Sequence, residues 1–429
     1  MRIAVFDNLA NSAYIVTKAL RQLGHDADLV LDPVDRHVMS DPRWEDLELE
    51  LPTGRLADAA ALPDHPLPDW VLAKPIPRRR GAHMARLAAA APGAAMRLRW
   101  AARAAGSRGA LLVLDRAWVV RTLRRYDCVI AYGMGPAWAA IADVPCVAMT
   151  WGGDITMVPF YDTGDWEGHE TLQLPGPRRE LSALAKLQRL GYSRSGRIVL
   201  TDPRFIPFAE RLGHTAKTVR MGFFIDTEKY APGAEPELRR QLLNGRDGLI
   251  VFMPSRQDWF WKGSDRLLHG FARATAGRDD IVLVCAGWGA DLERSERLMA
   301  ELDIRARVRL LPYAMSKARL RRYYRAADIV ADQFMVGSYG GSALEAMSCA
   351  RPVLIHLEPA RFEGGGALFP PVVNVGEPEA IGAALGTLLS DHEERRRVGE
   401  RARDWVAANH GPWVINRTLQ LCRTVMEGG

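Results

Sequence analysis

The stretch VGSYGGSALEAMSCARPV, residues 336–353, decides the fold, because it places a glycine-rich turn directly before a helix that carries one carboxylate. A short apolar run ends just before it, at Val330. Inside it, Leu344 and Met347 recur at helical spacing after the glycines. The stretch therefore predicts the order strand, glycine turn, helix, which is the repeating unit of an α/β protein.

The glycine turn of this stretch has two interpretations. In an open α/β sheet, such a turn lies at the carboxyl ends of the strands, where ligands bind, and the helix start at Gly340, Gly341 and Ser342 favours an anion. Alternatively, Ser342 and Glu345 form the capping box S-x-x-E, in which the carboxylate only satisfies a backbone donor. The motif alone does not decide between a ligand site and a helix cap.

Length and composition favour a protein of two globular domains without a membrane span. The chain has 429 residues, of which 48% are hydrophobic and 25% are charged. This length suggests two domains of roughly 200 residues each. No run approaches the roughly 18 apolar residues of a spanning helix, and Asp7 interrupts the N-terminus where a signal peptide would still be apolar. We therefore expect a cytoplasmic protein whose five scattered cysteines are reduced core residues, without a metal site.

The positive charge of the chain is concentrated between Pro77 and Arg125, where twelve arginines face a single acid, Asp115. An excess of this kind predicts an anionic partner, and its interleaving with apolar residues suggests a basic amphipathic surface on acidic lipid. The alternative is a solvated helix face. We expect a protein that can attach peripherally at the inner membrane face, and no nucleic acid as partner.

The N-terminal half opens as a βαβ unit, with a strand over Arg2 to Phe6 and a helix after Asn11. Its first turn lacks G-x-G-x-x-G and is a poor pyrophosphate cradle. Asn8, Asn11 and Ser12 lie where they could bind hydroxyls, or Asn11 or Ser12 simply caps the helix. Asp154 follows a predicted strand and could bind sugar hydroxyls or an acceptor, or close an Asx turn. Both pairs of alternatives remain open.

The C-terminal half predicts a second parallel sheet with helices on both faces. Its expected strands are 249–253, 281–286, 307–311, 328–332 and 352–356, and its expected helices are near 264–276, 290–302, 316–326 and 342–350. The fold class is therefore α/β with two Rossmann-like parallel-sheet domains. We place the domains at residues 1–225 and 226–395, followed by C-terminal helices at 396–429.

Two cations follow the first strand of this second sheet. Arg256 and Lys262 precede a helix that Ser264 or Asp265 would cap, so they lie beside a positive helix end. A guanidinium can clasp two phosphate oxygens while an ammonium supplies a mobile charge, and together they stabilise a departing diphosphate. One such loop is a weak signal alone and a moderate one when it faces the glycine turn.

These residues resemble the retaining glycosyltransferases of family 4, which belong to the glycosyl transferases group 1 and have the GT-B fold. The family order of Arg, then Lys-Gly, then E-x7-E followed by A-M-x4-P-V is matched by Arg256, Lys262-Gly263, Glu345 and residues 346–353. The resemblance implies two Rossmann-like domains facing a central cleft, with a nucleotide-sugar donor on the second domain and the acceptor on the first. The C-terminal helices would cross back to the first domain.

The resemblance also implies roles for single residues. Arg256 and Lys262 would hold the donor diphosphate, Glu345 the ribose, the backbone of Gly340 and Gly341 a phosphate, and the loop at Tyr313 the base. Gly337 stands where the first acid of E-x7-E is expected, so the usual carboxylate contact to the transferred sugar is missing. The residues that we expect to substitute for it are Ser338, Tyr339, Asp332 and Asp154.

The function implied is metal-independent transfer of a sugar from a nucleoside diphosphate to an acceptor hydroxyl, with retained configuration. No cofactor is expected beyond the donor substrate, and the acceptor would be a sugar, a lipid-linked molecule or another small molecule. Two alternatives remain open. The Gly337 departure is compatible with a non-catalytic nucleotide-sugar-binding protein, and the architecture is compatible with a sugar-nucleotide epimerase.

Overall fold

The computed structural model describes residues 1–32, 37–53, 62–74, 112, 114–166, 178–362 and 369–428, with the backbone alone at 178–179. Most of the basic segment 77–125, and with it the predicted membrane-facing surface, lies outside the described residues. The strands are β1 (Arg2–Phe6), β2 (Asp26–Val30), β3 (Glu50–Pro52), β4 (Val71–Leu72), β5 (Cys128–Ala131), β6 (Cys146–Met149), β7 (Arg197–Leu200), β8 (Thr218–Arg220), β9 (Leu249–Met253), β10 (Ile281–Ala286), β11 (Val308–Leu311), β12 (Tyr313–Met315), β13 (Ile329–Ala331), β14 (Val353–Ile355) and β15 (Val373–Asn374).

The helices alternate with these strands, as the apolar periodicity predicts. They are α1 (Ser12–Gln22), α2 (Pro42–Asp46), α3 (Ala117–Leu123), α4 (Gly135–Ala142), α5 (Gly153–Thr156), α6 (Arg178–Arg194), α7 (Ile206–Arg211), α8 (Pro236–Leu242), α9 (Ser264–Ala274), α10 (Leu292–Glu301), α11 (Lys317–Ala326), α12 (Gly341–Ser348), α13 (Pro378–Ser390), α14 (His392–His410) and α15 (Trp413–Glu427). Within the described residues, no helix is long and apolar enough to cross a membrane.

The chain folds into two units. The first comprises Met1–Pro42, Asp64–Phe224 and Val414–Gly429, and the second comprises Arg43–Pro63 and Ile225–Trp413. Residues 43–63 thus belong to the second unit, although the sequence places them inside the first domain.

The first unit is built on a parallel sheet whose strand order, over the described residues, is β4-β2-β1-β5-β6-β7-β8. Its central strands are fully buried because helices cover both faces of the sheet, which explains their continuous apolar runs. Helix α15 packs into the core of this unit through Val414, Leu419 and Cys422. The five cysteines are buried and free, as the sequence predicts.

The second unit is built on a parallel sheet of order β11-β10-β9-β13-β14-β15. Strands β9 and β13 are neighbours, with Val251 opposite Ile329 and Phe252 opposite Val330. The strand order reverses between them, because β10 and β11 lie on one side and β14 and β15 on the other. The α/β class with two Rossmann-like parallel sheets is thereby confirmed.

A short antiparallel ribbon joins residues 43–63 to the rest of the second unit. Strand β3 pairs with β12, so that Leu51 lies opposite Ala314. One end of the ribbon is fixed by Ser316, whose hydroxyl accepts the Leu49 N–H at 2.9 Å and whose N–H donates to the Leu49 carbonyl at 3.0 Å. This pairing is why the segment belongs to the second unit.

Candidate functional site

The most informative position in the second unit is the edge where β9 and β13 end. In an open parallel sheet, ligands bind outside the carboxyl ends of the strands where the strand order reverses. The loop after β9 carries Arg256 and Lys262, and the loop after β13 is the glycine turn. The two loops are joined directly, because Ser255 donates to Asp332 at 2.8 Å and Lys262 donates to Gln333 at 2.8 Å. The structure thus brings the predicted cations and the predicted glycine turn together.

The loop after β9 is folded around Asp258, a buried carboxylate that the sequence analysis did not identify. One of its oxygens accepts the Trp261 N–H at 2.8 Å, and the other accepts Arg256 through Nε at 3.0 Å and Nη2 at 2.7 Å. The Arg256 side chain is still 40% exposed. Asp258 therefore fixes the guanidinium in place while it leaves a large part of it accessible to a ligand.

Lys262 is the less neutralised of the two cations. Its ammonium donates to the neutral side-chain amide of Gln333, and among the described residues no carboxylate lies within ion-pair distance of it. Its neighbour Gly263 has φ +62° and begins helix α9, and a Cβ there would lie only 3.1 Å from Phe334 and Met335. Glycine is needed at 263 because the backbone is left-handed and pressed against the facing loop.

The start of helix α12 is open. The helix begins at Gly341 after Gly340, and no side chain caps it. A Cβ on Gly340 would meet nothing within 4 Å, and one on Gly341 would meet only Glu345, at 3.8 Å. The capping-box interpretation of Ser342 and Glu345 is therefore wrong, because Ser342 lies inside the helix and the carboxylate is engaged elsewhere. The uncapped N–H groups at the helix start can donate hydrogen bonds to an anion.

Glu345 is buried in a network of charged and polar side chains. Lys317 donates to one of its oxygens at 2.5 Å and Tyr324 to the other at 3.2 Å. Burial lowers the pKa of Lys317, but the Glu345 and Glu45 carboxylates raise it, and the net pKa lies above its ordinary value. Glu345, which is predicted to bind the ribose, therefore already has two hydrogen-bond partners within the protein.

Residues 43–53 complete this network. The Glu45 side chain is buried and pairs with Lys229 at 2.5 Å. Burial raises the pKa of Glu45 more than Lys229 and Lys317 lower it. Tyr313, the predicted base-binding position, lies in β12 opposite Pro52, and its hydroxyl is 3.2 Å from that of Tyr323. The loop at Tyr313 is therefore hydrogen-bonded to the protein's own strand β3.

The residues expected to replace the missing acid are engaged elsewhere. Asp332 and Ser338 are buried, and the side chain of Gln333 donates to the Ser338 carbonyl. The Tyr339 ring packs against Phe362, with centroids 5.9 Å apart, and against His410, at 5.6 Å. In the described structure, Asp332 and Tyr339 thus contact other residues of the protein. Sequence reasoning missed the residue that does lie beside Gly337, which is Glu358.

In the first unit, Asp154 and Asn11 stabilise turns. Asp154 is partly buried and accepts the N–H of Trp151 at 3.0 Å and that of Gly152 at 2.7 Å. Burial raises the pKa of its carboxyl to about 7, although these N–H donors lower it. Asn11 has φ +63°, accepts from the Asn8 side chain at 2.7 Å and donates to the Met39 carbonyl at 3.1 Å.

A second polar position in the first unit lies near Asn11, where β1 and β2 end. A pocket there is lined by Asp7, Asn8, Asp32, His37 and Asp41, among others. Asp32 pairs with Arg116 at 2.9 Å. These residues come from the turns after two neighbouring strands, and the sequence analysis identified only Asn8 and Asn11 among this group as possible hydroxyl ligands. The pocket is rich in hydrogen-bond acceptors, which suits a hydroxylated ligand.

Comparison with known proteins gives matches in the second unit and over the whole fold. Residues 234–405 match the family model described as Glycosyl transferases group 1. D-inositol 3-phosphate glycosyltransferase of Corynebacterium urealyticum is 34% identical over 246 residues, which are 53% of this chain and 56% of that protein. The protein of the same description from Nocardia farcinica is 34% identical over 189 residues, 41% of each chain. The chain thus spans about half the length of these relatives or less.

Solved structures match over nearly the whole chain at low identity. HepE of Anabaena, solved in complex with UDP and glucose, is 16% identical with a TM-score of 0.62 over 98% of both chains. Sucrose-phosphate synthase of Thermosynechococcus elongatus is also 16% identical with a TM-score of 0.62, over 100% of both chains. At such identity, the likeness shows the two-domain Rossmann-like fold alone.

Proposed function

We propose, from the match of residues 234–405 to the glycosyl transferases group 1 family model that the resemblance predicted, that the protein transfers a sugar from a nucleoside diphosphate to an acceptor hydroxyl. The observation that carries the proposal is the meeting of Arg256 and Lys262 with the open start of α12 where β9 and β13 end. Retention of configuration and independence from a metal are part of the proposal and rest on the family resemblance.

The phosphate half of the donor site consists of Arg256, Lys262, Gly340 and Gly341. In it, the half-exposed guanidinium and the ammonium bind the oxygens of the diphosphate, and the uncapped N–H groups of α12 bind a further oxygen. As the bond to the sugar breaks, negative charge grows on the diphosphate, and these groups stabilise it. Because the Lys262 ammonium, among the described residues, is hydrogen-bonded to a neutral amide and to no carboxylate, a phosphate can bind it without breaking an ion pair.

The nucleoside half of the donor site consists of Tyr313, Lys317 and Glu345. Glu345 binds the ribose hydroxyls after exchanging one of its protein partners, Lys317 or Tyr324. The base binds along β12, and it competes there with β3. This half therefore requires a local rearrangement that the phosphate half does not.

The acceptor belongs to the first unit in this proposal. Its pocket at Asn8, Asp32, His37 and Asp41 accepts hydrogen bonds from a polyol or a sugar. Asp154, whose carboxyl accepts hydrogen bonds from a turn, and Asn11, which donates to the Met39 carbonyl, stabilise loops of the first unit. A lipid-linked acceptor at the inner face of the cytoplasmic membrane is the natural substrate if the basic segment 77–125 contacts acidic lipid.

The experiment that tests the proposal compares two arginines that each form a local ion pair. Arg256 pairs with Asp258 and Arg278 pairs with Asp280, each through Nε and Nη2 across two residues. Only Arg256 lies at the carboxyl edge of the sheet, since Arg278 precedes β10. Calorimetry with UDP, ADP and GDP, and release of these diphosphates from their glucose or mannose conjugates, would be measured for Arg256→Ala and Arg278→Ala.

We expect Arg256→Ala to weaken binding of the preferred diphosphate about 10- to 100-fold, the usual worth of hydrogen bonds to a charged group. Arg278→Ala should match the wild type. Equal behaviour of the two variants would remove Arg256 from the site. Binding without any release or transfer would support a non-catalytic binding protein, and conversion of the sugar without an acceptor would support an epimerase.

A further inference from the structure

The side-chain space beside Gly337 is occupied by another residue. Gly337 has φ +71°, and a Cβ built on it would lie 3.2 Å from the Cβ of Glu358 and 3.5 Å from the Oε2 of Glu358. The carboxylate of Glu358 therefore lies within about one side-chain length of the Gly337 backbone. A left-handed glycine without a side chain is what allows this approach.

Glu358 is held against the glycine turn by backbone and charge. Its N–H donates to the Gly337 carbonyl at 3.0 Å. Arg361 donates to the Val336 carbonyl at 2.9 Å and pairs with Glu358 Oε2 at 2.5 Å. These contacts fix Glu358, which follows β14, against the turn, so its position is built into the fold and does not depend on a ligand.

Glu358 and Lys262 flank the same turn. Lys262 donates to the Gln333 side chain, and the Gln333 side chain in turn donates to the carbonyl of Ser338, the residue after Gly337. A cation and an anion thus contact the same short loop, Lys262 at Gln333 and Glu358 at Gly337.

Glu358 differs in exposure from the other carboxylates around this edge. Asp258 is 7% exposed, Asp332 is 2% exposed and Glu345 is 5% exposed, and each has hydrogen-bond partners within the protein. The Glu358 side chain is 50% exposed. Of these four, it is the carboxylate that a ligand can reach without displacing the protein's own contacts around a buried acid.

We propose that Glu358 accepts hydrogen bonds from hydroxyl groups of the donor sugar and so selects which sugar the protein uses. The inference rests on the proposed function, since it assigns the sugar contact within the same donor site. A carboxylate can accept from two neighbouring hydroxyls at once, and Arg361 balances its charge on the side that faces the loop. Glu358 binds the sugar and takes no part in bond cleavage.

The experiment uses Glu358→Gln in the full-length protein, with Glu379→Gln as a matched control. Glu379 pairs with Arg273 at 2.7 Å on the surface of the same unit. For each variant, kcat/KM is measured with the UDP-, ADP- and GDP-sugars that the wild type uses, and Kd is measured for the diphosphate without sugar. We expect Glu358→Gln to lower kcat/KM about 10- to 100-fold and to leave the Kd of the bare diphosphate unchanged.

Donors that lack single hydroxyls give a readout that needs no stable variant. The wild type should lose a similar factor on the deoxy donor that lacks the hydroxyl facing Glu358, and Glu358→Gln should lose little further on that donor. If every deoxy donor is used equally well, or if Glu358→Gln behaves as Glu379→Gln does, the inference is overturned although transfer itself stands. If the wild type neither binds a diphosphate nor releases one from any donor, the proposed function fails first.

Discussion

The proposed phosphate half and the proposed nucleoside half of the donor site are built differently. In the phosphate half, the Lys262 ammonium donates to a neutral amide and, among the described residues, forms no ion pair, and the start of α12 is uncapped. In the nucleoside half, Glu345 is paired with Lys317, and β12 is hydrogen-bonded to β3. The first half is ready for an anion, whereas the second has its hydrogen-bonding groups satisfied by the protein itself.

This difference separates binding from stability. Polar groups that are available to a ligand contribute little to the stability of the fold, and their removal lowers the affinity for the ligand. Buried ion pairs behave in the opposite way, because removing one partner leaves an uncompensated charge in the interior. The same substitution should therefore have different consequences in the two halves.

The largest effect is expected from lysine-to-methionine changes at the two positions. Lys317→Met leaves Glu345 and Glu45 without their shared cation and should lower the free energy of unfolding by about 3–5 kcal/mol. Lys262→Met should change stability by less than about 0.5 kcal/mol while it weakens diphosphate binding. Urea unfolding and calorimetry on both variants check this. A Lys317→Met protein as stable as Lys262→Met would show that the network is not the stabilising element described.

Asp154 extends the comparison to a partly buried carboxylate that, among the described residues, pairs with no cation. Its pKa is raised by burial to about 7, from an ordinary 3.8, so the folded state holds its proton more tightly than the unfolded state. The stability that this preference contributes is complete below about pH 4 and is lost as the pH rises through 7. The loss amounts to at most about 4 kcal/mol.

The variant that checks this pH dependence is Asp154→Asn, which mimics the protonated carboxyl. We expect the unfolding free energy of the wild type to fall between pH 5 and pH 8 by about 2–3 kcal/mol more than that of the variant. Chemical unfolding at several pH values measures both. Parallel pH profiles for the two proteins would mean that the N–H groups of Trp151 and Gly152 keep the carboxylate ionised.

The sequence predicted those strands, helices and loops of the second unit that are determined by residues close together in the chain. The apolar run of β9 and the helical spacing after Gly341 gave elements within two residues of the observed ones. Arg256 and Lys262 could be placed because a strand end and a helix start fix the position of the loop between them. The glycine turn could be placed for the same reason.

What could not be predicted depends on partners far away in the chain. Residues 50–52 have no strand periodicity, and they form β3 because β12, more than 250 residues later, offers an edge. Glu358 could not be linked to Gly337 because 20 residues and strand β14 separate them, and only the folded backbone brings them together. Likewise, nothing in the sequence distinguishes Asp258, which orients Arg256, from any other loop acid.

The smallest expected effect tests whether β3 covers the nucleoside half. Glu50 pairs with Arg319 at 2.8 Å and Glu48 with Arg322 at 3.1 Å, and both pairs are partly exposed. Replacing both acids by glutamine should cost less than about 1 kcal/mol of stability for each pair. If the base must displace β3, weakening these pairs makes the exchange easier, and UDP affinity should rise by no more than about fivefold per pair. Calorimetry at low and high salt measures the UDP affinity of the variant and of the wild type. Because salt screens the same ion pairs in the wild type, high salt should reduce the difference in UDP affinity between the two proteins. A fall in UDP affinity would mean that β3 helps to form the base site. The base would then bind beside β3 and would not displace it.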